Sequence, residues 1–344
     1  MHSLSIPCGV LAALALPVHA ADLAACAALG DDRARLACYD ALAGAPPASA
    51  TPAPPATAPA APTPAPPVVL LLERPREAPA AGELERRWEL RPDLRQGTFR
   101  LLPYRAIYAL ARATSDVNDL PGSPTRPTVA DGVDLDRVEA KLQLSFKTKL
   151  VEDAFGTGTD AWFGYTQQSY WQAANSRYSS PFRETNYQPE VVVVHALRDA
   201  GPFKYLGASL VHESNGRGES LSRSWNRVVG EIAIESGPWT LNVRPWIEVL
   251  RSEGERDDNP DIEDYIGRGE LIAAYRSNGH VVTLAGRHTL RSGDASRGSA
   301  RVDWAFPLAG RLNGHLQLFT GYGESLIDYN HSQTTVGLGL SFFD

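Results

Sequence analysis

The chain reads as an all-β protein: a twelve-stranded antiparallel transmembrane β-barrel, preceded by a short N-terminal helical hairpin and a Pro-rich linker. Three observations predict this. From about Phe99 onward, roughly twelve strand-like segments follow one another, each long enough to cross a bilayer at the tilt such barrels use. Their connections alternate between long polar loops, such as Ser115–Asp136 and Arg251–Asp264, and tight turns, such as Ser236–Pro238 and Ser277–Gly279. No apolar run approaches the length of a transmembrane helix, so insertion has to use strands. The bland alternative is a large soluble β protein, because each segment's own signal is weak.

Residues 1–20 read as a secretory signal. The apolar run Cys8–Leu16 is too short to span a bilayer, and Val18-His19-Ala20 offers a small-residue cleavage site that leaves Ala21 first. No Lys or Arg precedes the run, only His2. Residues 21–44 form the expected hairpin. Leu23, Cys26 and Leu29 share a helical face, Gly30 suits a C-cap, and Asp31 or Asp32 can cap a second helix. Leu36, Cys38 and Leu42 are expected to meet the first helix. Cys8 leaves with the signal; Cys26 and Cys38 either pair in an oxidising compartment or pack as small apolar residues. So small a unit needs a staple or a partner. Residues 45–80 are the linker. Its Pro/Ala/Thr run Pro46–Pro67 cannot form a core and would reach roughly 70 Å as polyproline II, at about 3.1 Å per residue. Residues 81–344 remain for the barrel. A net charge of −7 without a basic block argues against a nucleic-acid partner.

The segments lie at about 99–113, 137–151, 160–172, 186–198, 204–214, 223–236, 239–250, 265–276, 280–291, 298–307, 314–322 and 333–343. Several alternate cleanly. In the last, Val336, Leu338, Leu340 and Phe342 oppose Thr335, Gly337, Gly339 and Ser341. That second face is too small and polar for a sandwich core but suits a barrel lumen. Trp162, Tyr170, Trp171, Trp239, Trp246, Trp304 and Tyr322 lie toward segment ends, where interface girdles are expected.

Chemistry concentrates in Lys204–Glu235. Leu206, Ala208, Leu210, His212 and Ser214 share one strand face; on the next strand Asn226, Val228, Gly230, Ile232 and Ile234 share another. A His, a Ser and an Asn therefore lie on apolar faces of neighbouring strands, which in a membrane barrel are the lipid side. A serine needs a base to become a nucleophile, and an imidazole needs an acceptor on its other nitrogen to fix its tautomer. Ser214, His212 and Asn226 are those residue types. Gly216 offers a backbone N–H beside the nucleophile, while Glu219, Ser220, Ser222 and nearby carbonyls are the oxygens Ca²⁺ prefers. Such a cation would polarise an ester carbonyl. Ordinary strand polar residues are the competing explanation, weakened because polar groups facing lipid are costly. Three other patterns are set aside. Ser325 in Gly323-Glu324-Ser325-Leu326-Ile327 lacks the second glycine of a nucleophile elbow. Asp257-Asp258-Asn259-Pro260-Asp261 lacks EF-hand spacing and is expected to be a solvated loop. His280, His288, His315 and His331 have no zinc spacing.

The stretch HESNGRGESLSRSWNR resembles the catalytic region of the bacterial outer-membrane phospholipases A, as do YTQQSYWQ (165–172), SSPFRETNYQPE (179–190), DDNPDI (257–262) and GYGESLIDYN (321–330). The resemblance covers roughly residues 99–344. It implies a twelve-stranded outer-membrane barrel, a Ser-His-Asn triad, and calcium-dependent hydrolysis of phospholipids switched on by homodimerisation. By position, Ser214 matches the nucleophile, His212 the base, Asn226 the orienting residue and Gly216 the oxyanion donor. Ser222 and the Arg217 carbonyl match calcium ligands of one subunit, and the Ser179 carbonyl one of the other. Gln167 matches a polar residue at the dimer contact, and Glu219 an acidic residue of a second, inactive calcium site. Glu213 stands where an Asp is usual. The rival from a different class is a passive porin or structural barrel, and a second enzyme rival is an outer-membrane protease of the Asp/His type.

Overall fold

The computed structural model describes residues 25–42, 81–127, 134–252 and 254–342. The expected signal (1–20) and linker (45–80) lie outside them. Two units result, and the first is small. Residues 25–27 are helical, a helix runs Asp32–Leu42, and a Cys26–Cys38 disulfide joins them at a Cα separation of 5.5 Å. Asp31 is the cap: its Oδ1 accepts the Ala34 N–H at 2.9 Å. Leu36 does not meet the other helix. It is 62% exposed, because two residues before Cys38 it points to the opposite side of a helix of 3.6 residues per turn.

The second unit is the barrel. Its strands are β1 Leu102–Pro103, β2 Ile107–Thr114, β3 Val138–Val151, β4 Thr159–Trp171, β5 Phe182–Ala196, β6 Phe203–Ser214 and β7 Ser224–Ser236. β8 Trp239–Glu248, β9 Gly269–Ser277, β10 His280–His288, β11 Gly298–Ala309, β12 Leu312–Tyr322 and β13 Ser332–Phe342 follow. β2 to β13 pair in sequence, all antiparallel, and β13 pairs with β2 to close the barrel. The expected first segment, 99–113, is instead split: β1 is a two-residue bridge on β3, and β2 begins only after Pro103 has ended it. The expected start at 265 is also displaced, since a helical turn Glu263–Ile266 precedes β9. No helix among the described residues is long and apolar enough to cross a membrane.

Side-chain parity sorts the wall. On β13, Val336, Leu338, Leu340 and Phe342 are exposed, while Thr335 and Ser341 are buried inward. On β3, Glu139, Lys141, Gln143, Ser145, Lys147 and Lys149 all point inward. All of these charges but Lys147 have ion-pair partners. Arg112 meets Glu139 at 2.5 Å and Glu324 at 2.7 Å, Lys141 meets Glu324 at 2.9 Å, and Arg183 bridges Glu139 and Asp328, both at 2.9 Å. The lumen is largely filled by side chains, leaving partly open spaces near Arg105 and Arg244 of about 210 Å³ and 100 Å³. Three expected girdle residues belong to this interior: Trp162, Tyr170 and Trp246 are buried, whereas Trp171, Trp239 and Trp304 face outward.

Both ends of the lumen are occupied. At the end with the tight turns, the helix Glu83–Trp88 packs Leu84 and Trp88 against Tyr104, Trp162 and Tyr205. The Glu235 carboxylate accepts the N–H groups of Glu83 and Leu84, satisfying donors that a helix start leaves unpaired. Lys147 Nζ lies 3.5 Å from the Trp88 ring centre and 4.4 Å from that of Trp162, a cation over aromatic faces. At the other end, the 323–331 connection buries Leu326, Ile327 and Tyr329, packing Leu326 and Tyr329 with Val211, Trp225, Trp246 and Ile262.

Candidate functional site

The candidate residues sit where β6 and β7 leave the wall. Leu206, Leu210, Val228 and Ile232 on these strands are 40–49% exposed, and Tyr205, Val211, Trp225 and Ala233 are buried inward, so the even-numbered face is the lipid side. His212 and Ser214 share that face on β6. Antiparallel register sets His212 opposite Asn226, and Ser214 opposite Ser224 on one side and Tyr187 on the other. His212 Nδ1 and Asn226 Oδ1 are 2.9 Å apart. The Asn oxygen can only accept, so Nδ1 carries the proton and Nε2 is left as the basic nitrogen. Beneath them Glu213 turns into the lumen, where its Oε2 accepts from Trp225 Nε1 at 3.0 Å and Arg227 Nη2 at 2.6 Å. The pair is thus fixed from behind by odd-numbered neighbours.

The loop after Ser214 turns at Gly216, whose φ of +62° suits glycine; a Cβ there would also stand 3.2 Å from Tyr187 Cε2. Arg217 donates through Nη2 to the carbonyls of Phe182, at 3.2 Å, and Arg183. Glu219 starts a 3₁₀ turn, Glu219–Leu221, and is exposed. Ser222 Oγ donates to Asp258 Oδ2 at 2.6 Å, which leaves its lone pairs for another contact. Ser179 belongs to a separate loop, between β4 and β5, with a left-handed φ of +59°. Gln167 is on the outer wall of β4, its Oε1 accepting from Tyr165 at 3.0 Å.

Oxygen dominates this donor set: the Arg217 carbonyl, the Ser222 hydroxyl and the Glu219 carboxylate. Among the described residues no three His, Cys, Asp or Glu converge as a metal cluster. A cation held here would draw on carbonyls, hydroxyls and water, which fits Ca²⁺ and not zinc.

Some contributors escaped the sequence reading. Asp257-Asp258-Asn259-Pro260-Asp261 is not a solvated loop. Asp257 and Asn259 are buried, Asp258 pairs with Arg126 at 2.8 Å as well as with Ser222, and Asn259 Oδ1 accepts the Ser224 N–H at 2.9 Å. The segment therefore buttresses the β6–β7 loop. Its density of Asx residues was visible; the loop it would brace was not. Ser325 is a buried structural serine, donating to Asp328 at 2.8 Å.

Comparison with known proteins agrees with this architecture. A profile of the phospholipase A1 family matches residues 84–342. A Neisseria meningitidis relative is 43% identical over 235 residues, 66% of this chain; the chain spans 61% of that relative's length. The phospholipase A1 of Escherichia coli is 36% identical over 256 residues, 72% of this chain and 82% of its own. The solved Salmonella typhi outer membrane phospholipase, a dimer with bound calcium, is 35% identical, with a TM-score of 0.64 over 74% of this chain and 95% of its own. With a closed β-barrel and a family match that runs almost from its first inner helix to its last strand, this chain belongs to the phospholipase A1 family of outer-membrane enzymes.

Proposed function

We propose that the chain hydrolyses acyl ester bonds of glycerophospholipids and lysophospholipids through Ser214, His212 and Asn226, that it needs calcium, and that a homodimer is the active form. The observation that carries this reading is the 2.9 Å contact of His212 Nδ1 with Asn226 Oδ1 on a lipid-facing wall, with Ser214 beside it on the same face. His212 Nε2 takes the Ser214 proton as Oγ attacks the ester carbonyl. The Gly216 N–H donates to the oxygen that gains charge. His212 then returns the proton to the departing glycerol oxygen, and water releases the fatty acid from Ser214 by the same exchange. Asn226 holds the imidazole in the required tautomer but brings no charge to the imidazolium, so more of the stabilisation falls on the oxyanion site. The Arg217 carbonyl and Ser222 are the calcium candidates of one subunit, completed by the Ser179 carbonyl of the partner subunit, while Glu219 would serve a second, inactive calcium site. Bound there, calcium would supply Lewis-acid polarisation of the ester carbonyl. The calcium-loaded dimer of the Salmonella typhi relative supports both requirements.

The test is fatty-acid release from phospholipid micelles by pure protein, with calcium and with chelator, for wild type and Ser214→Ala. Release should need calcium and vanish in the variant, while heat-modifiable gel mobility shows an intact barrel. A folded Ser214→Ala protein that keeps most of its activity refutes the nucleophile.

A further inference from the structure

We propose that Asn215 is the positioning residue of the Gly216–Ser222 loop, a role that rests on the activity proposed above. Asn215 follows the candidate nucleophile and is 4% exposed. Its carboxamide makes four hydrogen bonds. Oδ1 accepts the N–H of Arg217 at 3.2 Å and of Arg223 at 3.0 Å; Nδ2 donates to the Leu221 carbonyl at 2.7 Å and to Glu184 Oε2 at 3.3 Å. The first three reach both ends of the loop, so one side chain folds it and sets where the Gly216 N–H and the Arg217 carbonyl point. A backbone bond from the Asn215 N–H to the Arg223 carbonyl, 3.0 Å, closes the same turn.

The fourth bond ties the loop to the lumen. Glu184 is buried on β5, and its Oε1 accepts the Ile327 N–H at 3.2 Å and Asn186 Nδ2 at 2.6 Å. Through Asn215 and Glu184 the outer-wall loop is thus anchored to the 323–331 connection inside the barrel. Without this anchor, a cation would have to order the loop as it binds, and its affinity would fall by that ordering cost. The His212–Asn226 pair lies outside the anchor and would keep its geometry.

The experiment is a calcium titration of the full chain, read both as fatty-acid release and as direct calcium binding by isothermal titration calorimetry, on wild type, Asn215→Ala, Asn215→Asp, Glu184→Gln and the double variant Asn215→Asp/Glu184→Gln. Asn215→Ala should raise the half-saturating calcium concentration about tenfold, with most of kcat recovered at saturation. Asn215→Asp sets two carboxylates against each other, and Glu184→Gln sets two amide donors against each other; both should shift the curve the same way. The double variant restores a donor facing an acceptor at the 184–215 contact, though not at the Leu221 carbonyl, and should therefore improve on Asn215→Asp without reaching wild type. If Asn215→Ala does not fold, the aspartate pair carries the test, since it keeps both accepted N–H bonds. Wild-type calcium curves in the single variants overturn the proposal, and so does a double variant no better than the worse single one. A wild type that ignores calcium overturns the underlying activity instead.

Discussion

Replacing Asn226 with Ala removes one hydrogen bond from His212 and little else, which makes its cost calculable. The bond is 2.9 Å long, joins two neutral groups and lies on the exposed outer face. Such bonds contribute about 0.5–1.5 kcal/mol net. At about 1.36 kcal/mol per decade of rate, kcat should fall roughly two- to thirteenfold if Asn226 only orients the ring. His212→Ala removes the base itself and should cost about 10²- to 10⁴-fold. Asn226→Asp keeps an acceptor at the same place, so it should retain at least the activity of Asn226→Ala. The assay is initial-rate fatty-acid release from mixed micelles at saturating calcium, with kcat and KM separated, on protein whose gel mobility shows a folded barrel. KM should hardly change, because the bond joins two protein side chains and orients His212 rather than holding the lipid. Equal or greater loss in Asn226→Ala than in His212→Ala refutes the orienting role, and unchanged activity removes Asn226 from the site.

Three other outcomes are expected. Ser222→Ala should weaken calcium affinity and calcium-promoted dimerisation together, by linkage; sedimentation in detergent with and without calcium measures the second, and full activity from a calcium-loaded monomer would refute the coupling. Burial alone would raise the carboxyls of Glu324 and Asp328, but Lys141 and Arg112 hold Glu324 down to about 2, and Arg183 holds Asp328 below the usual carboxylate range. Folded values below unfolded ones mean stability that is full above about 4.5 and lost as pH falls toward 2, so the denaturation midpoint should drop across that window and Glu324→Gln should lessen the drop. Deleting residues 22–67 should leave barrel assembly and hydrolysis intact, since the composition changes abruptly at Pro46 and both activities are placed in the strands; failure of the shortened chain to insert would refute this.

How much was legible follows from how far apart the deciding residues lie in the chain. The triad candidates were readable because β6 and β7 are joined by one short loop and period-2 parity puts His212, Ser214 and Asn226 on the same outer face; the register that sets His212 opposite Asn226 came with the fold. Parity was also available for Trp162, which shares its face with Asp160, Gly164 and Thr166, all inward; place along the segment misled where face would not have. The helix Glu83–Trp88 was not readable. Six residues show no period, and the carboxylate that caps it, Glu235, comes from β7 at the far side of six strands of sequence. Asn215 and Asp258 were hidden for the same reason, since their partners Glu184 and Arg126 come from other connections or strands.

A common physical cause lies behind this division. In the lumen a buried charge needs a partner, and a closed barrel can supply it from an element remote in sequence; Arg112 and Glu324 are 212 residues apart. On the outer wall lipid offers no partner, so a polar residue must be satisfied by its immediate neighbours on the sheet. His212 is satisfied by Asn226, one strand away, and their backs are held by Glu213 and Arg227, each adjacent in sequence to one of the pair. A functional site on the lipid face is therefore written locally, while the interior that holds it rigid is written across the whole chain.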